Sequence, residues 1–147
     1  IQYGASVVMG HHPHVVQGVE VRNNATVAYS LGNLSFGGNK RIKNMADTAL
    51  VTQVRLVFDK DQKYLGHQMT IYPIHPTGTF TKVNDYRPIF ATGEEAQRIM
   101  ALVQADTPYP LAPYVEGKGA LQPFVPAPPP LPGPPDPMDL YIKIEPM

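Results

Sequence analysis

The sequence predicts an α/β fold, rich in strands and ending in an irregular, proline-rich tail. Three observations predict it. Several runs of strand length alternate apolar and polar residues, one run follows the stripe of an amphipathic helix, and prolines crowd toward the C-terminal end. Residues 1–106 hold four prolines, Pro13, Pro73, Pro76 and Pro88, and residues 107–147 hold the other thirteen of seventeen. That shift places a boundary near Asp106-Thr107-Pro108, between a folded portion, 1–106, and a tail, 107–147, that is extended or disordered.

The elements follow in order. Ile1-Gln2-Tyr3-Gly4 reads as the last turn of a helix closed by a glycine C-cap, with the rest of that helix upstream. Ala5–Met9 is a short apolar run ended by Gly10, which suits a strand buried on both faces. Gly18–Arg22 alternates, Asn23-Asn24 turns, and Thr26–Ser30 returns as the second half of a hairpin before Leu31-Gly32-Asn33 breaks the strand. Leu50–Phe58 alternates with an apolar face at Leu50, Val54, Leu56 and Phe58; Asp59–Gln62 is a polar turn, and Tyr64–Ile74 returns as the firmest hairpin in the chain. Gly93–Val103 is the one clear helix. Thr92 is its N-cap, Glu95 completes a capping box, Glu94 and Glu95 suit the positive end of the dipole, and Ala96, Ile99, Met100 and Val103 face the core. Pro123 to Pro137 is expected to be polyproline II, because proline fixes φ and gives a sheet no N–H. It reads as a spacer, or at Pro126–Pro135 as a docking segment for a partner groove. Asp139–Ile144 alternates enough to add one edge strand.

Composition narrows the function. Twelve basic residues balance twelve acidic ones, so nothing calls for nucleic acid or an anionic membrane surface. There are no cysteines, which excludes disulfides, zinc–thiolate sites and a cysteine nucleophile. No apolar run approaches the ~20 residues that span a bilayer, and the first residues are not a signal peptide.

The feature that calls for chemistry is Gly10-His11-His12-Pro13-His14. Three of the five histidines fall within four positions, just after a strand. Strand ends in α/β sheets are where ligands collect, and imidazole suits zinc, manganese, iron, nickel or cobalt. Pro13 favours an extended backbone at His12, and along an extended strand His12 and His14 share a face, so both rings converge on one ion or on neighbouring ions. The plainer reading of the same residues is a polar surface loop. Hydrolytic metals also need carboxylates. Glu20 reads as a hairpin surface residue and Asp47 as the start of a strand, so the missing ligands are expected upstream of Ile1.

Gly4-Ala5-Ser6-Val7-Val8-Met9-Gly10-His11-His12-Pro13-His14-Val15-Val16-Gln17-Gly18-Val19-Glu20, followed by Tyr29-Ser30-Leu31-Gly32-Asn33, closely resembles the CapA family of bacterial capsule and poly-gamma-glutamate synthesis proteins. These are similar in fold to calcineurin-like metallophosphoesterases. The resemblance is specific over residues 1–37, weak through Asp85-Tyr86-Arg87-Pro88 and the helix, and absent beyond about residue 106. It implies the C-terminal part of a layered sandwich in which two sheets pack between helices. It also implies a dinuclear centre of divalent transition metal ions at the strand ends.

The family's closing motif, G-H-x-H, supplies one histidine to each metal. Gly10–His14 is one residue longer, so the first role falls to His12 or to His11, and His14 is a ligand either way. Asn33 lies near the site in the family pattern, either binding substrate or tying its own turn. The family's earlier acidic and Asn-His motifs are not in this sequence, so the chain alone is expected to bind metal poorly and catalyse nothing. The implied partners are an anionic polymer or phosphoester and other capsule-synthesis proteins, at the cell envelope or extracellular face. A metal-dependent hydrolase and a non-catalytic polymer- or partner-binding assembly factor both fit. Tyr29 reads as a strand packing residue, His67 and His75 as structural or exposed, and Lys40, Arg41 and Lys43 as a solvated basic loop.

Overall fold

The computed structural model describes residues 1–35, 47–79 and 83–129. They form two sheets and, among the described residues, one helix. The first sheet has the order β1-β3-β2, from β1 (Val7–Met9), β2 (Val19–Arg22) and β3 (Ala25–Ala28). β1 runs parallel to β3, and β2 and β3 are the expected hairpin. Asn23 (φ 50°) and Asn24 (φ 58°) both sit in the left-handed region that a two-residue hairpin turn of the primed type requires. Asparagine tolerates that backbone better than most residues, so this turn fixes the register. The register then runs past the named strands, since Val16 bridges Leu31 and the Gln17 amide donates to Ser30 O at 3.0 Å.

The second sheet is built on β5 (Tyr64–His75). One edge pairs with β4 (Ala49–Phe58) along its whole length. The other edge is covered in turn by three two-residue strands. β8 (Val125–Pro126) meets Gly66–His67, β7 (Ala120–Leu121) meets Thr70–Ile71, and β6 (Ile89–Phe90) meets Ile74–His75. The polar turn between β4 and β5 is tied by Asp59, whose Oδ1 accepts the amides of Asp61 (2.8 Å) and Lys63 (2.9 Å).

The two sheets and α1 (Gly93–Ala105) share one core. Val19 and Ala28 of the first sheet, Leu50, Met69, Ile71 and Ala120 of the second, and Ala96, Ile99, Met100 and Val103 of the helix are buried together. The helical stripe read from the sequence is the one that packs. The sheets are also pinned by a polar contact, since Thr26 Oγ1 lies 2.7 Å from His67 Nε2 and Tyr64 Oη lies 2.7 Å from His67 Nδ1. His67 and His75 are both buried, at 0% and 2% exposure, and so take the structural side of the sequence reading. Among the described residues no helix is long and apolar enough to cross a membrane.

Several expectations change. β1 is not buried on both faces. Val8 is 37% exposed, because it shares with Glu20 and Tyr29 the outer side of the sheet, away from β5. Tyr29 is exposed rather than packed, and its hydroxyl donates to Glu20 Oε2 at 2.5 Å. The apolar face of β4 holds at Leu50 and Val54 and fails at Leu56 and Phe58, each about half exposed. There the hairpin extends beyond the core, and Phe58 packs on Tyr64 instead, with ring centres 5.6 Å apart. Thr92 caps α1 without a side-chain hydrogen bond, the Glu95 carboxylate pairs with Arg98 (2.8 Å) instead of completing a capping box, and the Gly93 amide donates to Glu116 Oε2 (3.3 Å).

The largest change concerns the tail. The shift in proline content coincides with the C-cap of α1 at Asp106, but residues 107–129 pack on the body. Thr107 Oγ1 accepts the Val19 amide at 3.1 Å and donates to Val103 O at 2.7 Å. Proline does not prevent this pairing. The amides of Gln122 (to Met69 O, 2.8 Å) and Ala127 (to Leu65 O, 2.9 Å) carry the bonds to β5. Pro123 follows Gln122 and Pro126 precedes Ala127, and the register slips by one residue between the two pairings, so both proline nitrogens face away from the ladder. The same region makes good a lost bond elsewhere. Ala91 donates to Pro73 O (3.0 Å), Pro73 has no N–H to return, and the Tyr114 hydroxyl donates to Ala91 O at 3.3 Å in its place. The expected strand at Asp139–Ile144, the prolines from Pro130 onward and the basic loop Lys40, Arg41 and Lys43 lie outside the described residues.

Candidate functional site

The histidine loop begins where β1 ends. A Cβ on Gly10 would stand 2.1 Å from Tyr29 O, so only glycine lets the two backbones approach. The Gly10 amide donates to Ala28 O (2.7 Å), and its carbonyl accepts the Leu31 amide (3.1 Å), which fixes the loop's root to β3 and to the turn after it. From there the chain bends rather than extends. His12 has φ 98° and His14 φ 61°, both left-handed, against the extended backbone expected before Pro13. The route by which His12 and His14 were expected to share a face is therefore wrong. They are brought near each other by left-handed backbone at His12 and again at His14, on either side of Pro13. His11, His12, Pro13 and His14 are all exposed.

The rings of His12 and His14 have centres 6.3 Å apart and are tilted by 39°. A metal ~2.1 Å from a ring nitrogen lies roughly 3 Å from that ring's centre, so a single ion would have to stand almost on the line between the two centres, and the gap suits two adjacent ions better. Among the described residues no three His, Asp or Glu side chains converge on one point, so His11 does not complete a three-ligand set with them. The two acids singled out in the sequence, Glu20 and Asp47, are engaged elsewhere. Glu20 accepts from Tyr29 and pairs with Arg22 at 3.1 Å, and Asp47 pairs with Arg98 at 3.0 Å. The Tyr29 hydroxyl, with Arg22 beside it, holds the Glu20 carboxyl below its ordinary range, and the same contact pushes the Tyr29 phenol up. The imidazole pair is thus chemically suited to a divalent transition metal as part of a larger donor set that includes carboxylates.

Asn33 joins the pair. Its Oδ1 lies 2.7 Å from His14 Nδ1, and its Nδ2 donates to His14 O at 3.4 Å. The side chain is 7% exposed. This contact is a product of register. Counting outward from Asn23-Asn24, the pairing that sets Val19 against Ala28 and Val16 against Leu31 also sets His14 against Asn33. The sequence placed Asn33 near the site and did not show its partner, because nineteen residues separate the two and no local motif joins them.

The family match falls on this same segment. Residues 1–38 match the family described as bacterial capsule synthesis protein PGA_cap. The PGA biosynthesis protein CapA of Bacillus subtilis (strain 168) is 52% identical over 33 residues, 22% of this chain and 9% of that protein. The capsule biosynthesis protein CapA of Bacillus anthracis is 44% identical over 52 residues, 35% of this chain and 12% of that protein. The matched stretches thus span about a tenth of the curated relatives' length.

Proposed function

We propose that the chain, whose residues 1–38 match the bacterial capsule synthesis family, serves in capsule or poly-gamma-glutamate biosynthesis, with His12 and His14 as part of a metallophosphoesterase-like metal site. The observation that carries this reading is a coincidence of place. The histidine pair, its Asn33 partner and the hairpin register that aligns them all fall within the matched residues 1–38. The two sheets packed on a shared core suit a calcineurin-like layered sandwich, in which further elements supply the carboxylate ligands.

In this reading His14 and His12 hold the metal, with His11 as the other candidate for the first position. Two ions held there would supply an activated water and positive charge against an anionic phosphoryl or carboxyl group. This chain's own residues do the rest. Gly10 sets the loop against β3, the left-handed bends at His12 and His14 aim the rings, and Asn33 fixes the second ring. The natural partners are an anionic polymer or phosphoester and other capsule-synthesis proteins, at the cell envelope.

A second reading has one observation in its favour. Fewer than three metal-type ligands converge among the described residues, and the relatives are named for biosynthesis. It makes the protein a non-catalytic factor that binds polymer or partner. The experiment that decides is hydrolysis of a phosphoester and of poly-gamma-glutamate by the full-length protein with divalent metal added, before and after His14→Ala. The metal-hydrolase reading expects activity that the substitution abolishes. Equal rates in both proteins remove it and leave the binding factor.

A further inference from the structure

We propose that Asn33 is a positioning residue that holds His14 in its Nδ1–H tautomer and so makes Nε2 the metal-binding atom; this rests on the metal-site reading above. The case begins with the chemistry of the carboxamide. Its oxygen only accepts hydrogen bonds, and its nitrogen only donates. With Oδ1 at 2.7 Å from His14 Nδ1, the proton between them belongs to the imidazole. A neutral ring with its proton on Nδ1 has its lone pair on Nε2.

The orientation of the amide decides everything, and a second contact fixes it. Asn33 Nδ2 lies 3.4 Å from the carbonyl oxygen of the same His14, a group that only accepts. Turning the amide over would set oxygen against oxygen there and withdraw the acceptor from the ring. One side chain therefore reads both the ring and the backbone of one residue. The backbone contact also matters in its own right, because His14 sits at φ 61°, where a residue with a Cβ needs outside support. Asn33 has the rigidity to provide it. It is 7% exposed, stands opposite His14 in the hairpin register, and is anchored through Gly32, which bridges Ala49 of β4.

This is the arrangement that ligating histidines use elsewhere, with the non-ligating N–H given to a fixed acceptor that sets ring angle and tautomer. It gives Asn33 a role apart from the expected contact with substrate, since its Oδ1 and Nδ2 both meet His14.

The test is nitrogen-15 NMR of the histidine rings in the metal-free protein at about pH 9, where imidazoles are neutral, with His14 assigned by its loss in His14→Ala. The expected result is the Nδ1–H pattern for His14 in the wild type, a mixed or Nε2–H pattern in Asn33→Ala, and recovery of Nδ1–H in Asn33→Asp, which still accepts from the ring. An Nε2–H pattern in the wild type, or an Asn33→Ala spectrum unchanged from it, overturns the proposal. Amide spectra of both variants check the fold, and if Asn33→Ala unfolds, the wild-type and Asn33→Asp patterns decide alone. Zinc titrated in a second arm is expected to bind Asn33→Ala ~10- to 100-fold more weakly than the wild type. A wild type that shows the Nδ1–H pattern and binds no zinc removes the metal reading and leaves the positioning of His14 standing.

Discussion

The loop after β1 and the middle of β5 use the same side chain in opposite ways. His67 is fully buried, with both ring nitrogens engaged, one by Tyr64 and one by Thr26 across the two sheets. His12 and His14 are exposed on strained backbone, and the contact that fixes His14 leaves its ring at the surface. The first arrangement spends an imidazole on holding sheets together. The second holds an imidazole still while keeping it accessible. The difference teaches that a histidine's role here is set by where the strand register delivers it, and the two regions should therefore respond oppositely to substitution.

The widest contrast is expected from truncation. His67→Ala removes a buried ring and strands two hydroxyls, and should cost about 3 kcal/mol, whereas His12→Ala should stay within about 0.5 kcal/mol. Urea melts of the two variants check this, and equal losses would erase the distinction. Next comes the root of the loop. Gly10→Ala sets a Cβ against Tyr29 O and should cost about 2 kcal/mol while moving the His12 and His14 resonances and sparing those of His67. A variant that melts like the wild type with its loop signals in place would show that the close approach is not required.

Smaller again is Tyr114→Phe, which leaves Ala91 O without the donor that stands in for Pro73, at about 1 kcal/mol. An unchanged midpoint would mean that solvent serves that carbonyl as well.

The gentlest effect is one of pH. Burial pushes the His67 imidazole below its ordinary value of about 6.5, so the unfolded chain binds the proton more readily than the folded one. Stability is then fully present above about pH 6.5 and is lost as pH falls through the folded value. Thermal melts between about pH 7.5 and 5.5 should show a decline that flattens in His67→Gln, and parallel slopes would assign the decline to other groups.

Much of this was legible in the sequence, and the exceptions share a cause. The Asn23-Asn24 turn, the long hairpin and the Ala96, Ile99, Met100, Val103 stripe are local patterns, and each is found where the residues put it. The misjudged positions depend on partners far along the chain. Leu56 and Phe58 alternate correctly and still reach solvent, because nothing in their own run says where the core stops. Proline content marked 107–129 as a tail, yet Pro123 and Pro126 fall where a missing N–H costs the ladder nothing, and Ala120 completes the core. At the candidate site the histidine cluster was plain and its geometry was not. Pro13 argued for an extended His12, and the loop bends through left-handed backbone at His12 and His14 instead. The His14–Asn33 pair was latent in the register, available to anyone who counts outward from the turn past the end of the strands.

The most direct measurement follows the five histidine ring signals while manganese(II) is added in small steps, since a bound paramagnetic ion broadens the nearest rings first. The account expects His12 and His14 to fade together, ahead of His11, which is also exposed, and well ahead of His67 and His75. Uniform fading of every exposed ring, or no loss at all, would contradict a shared cation at this strand end.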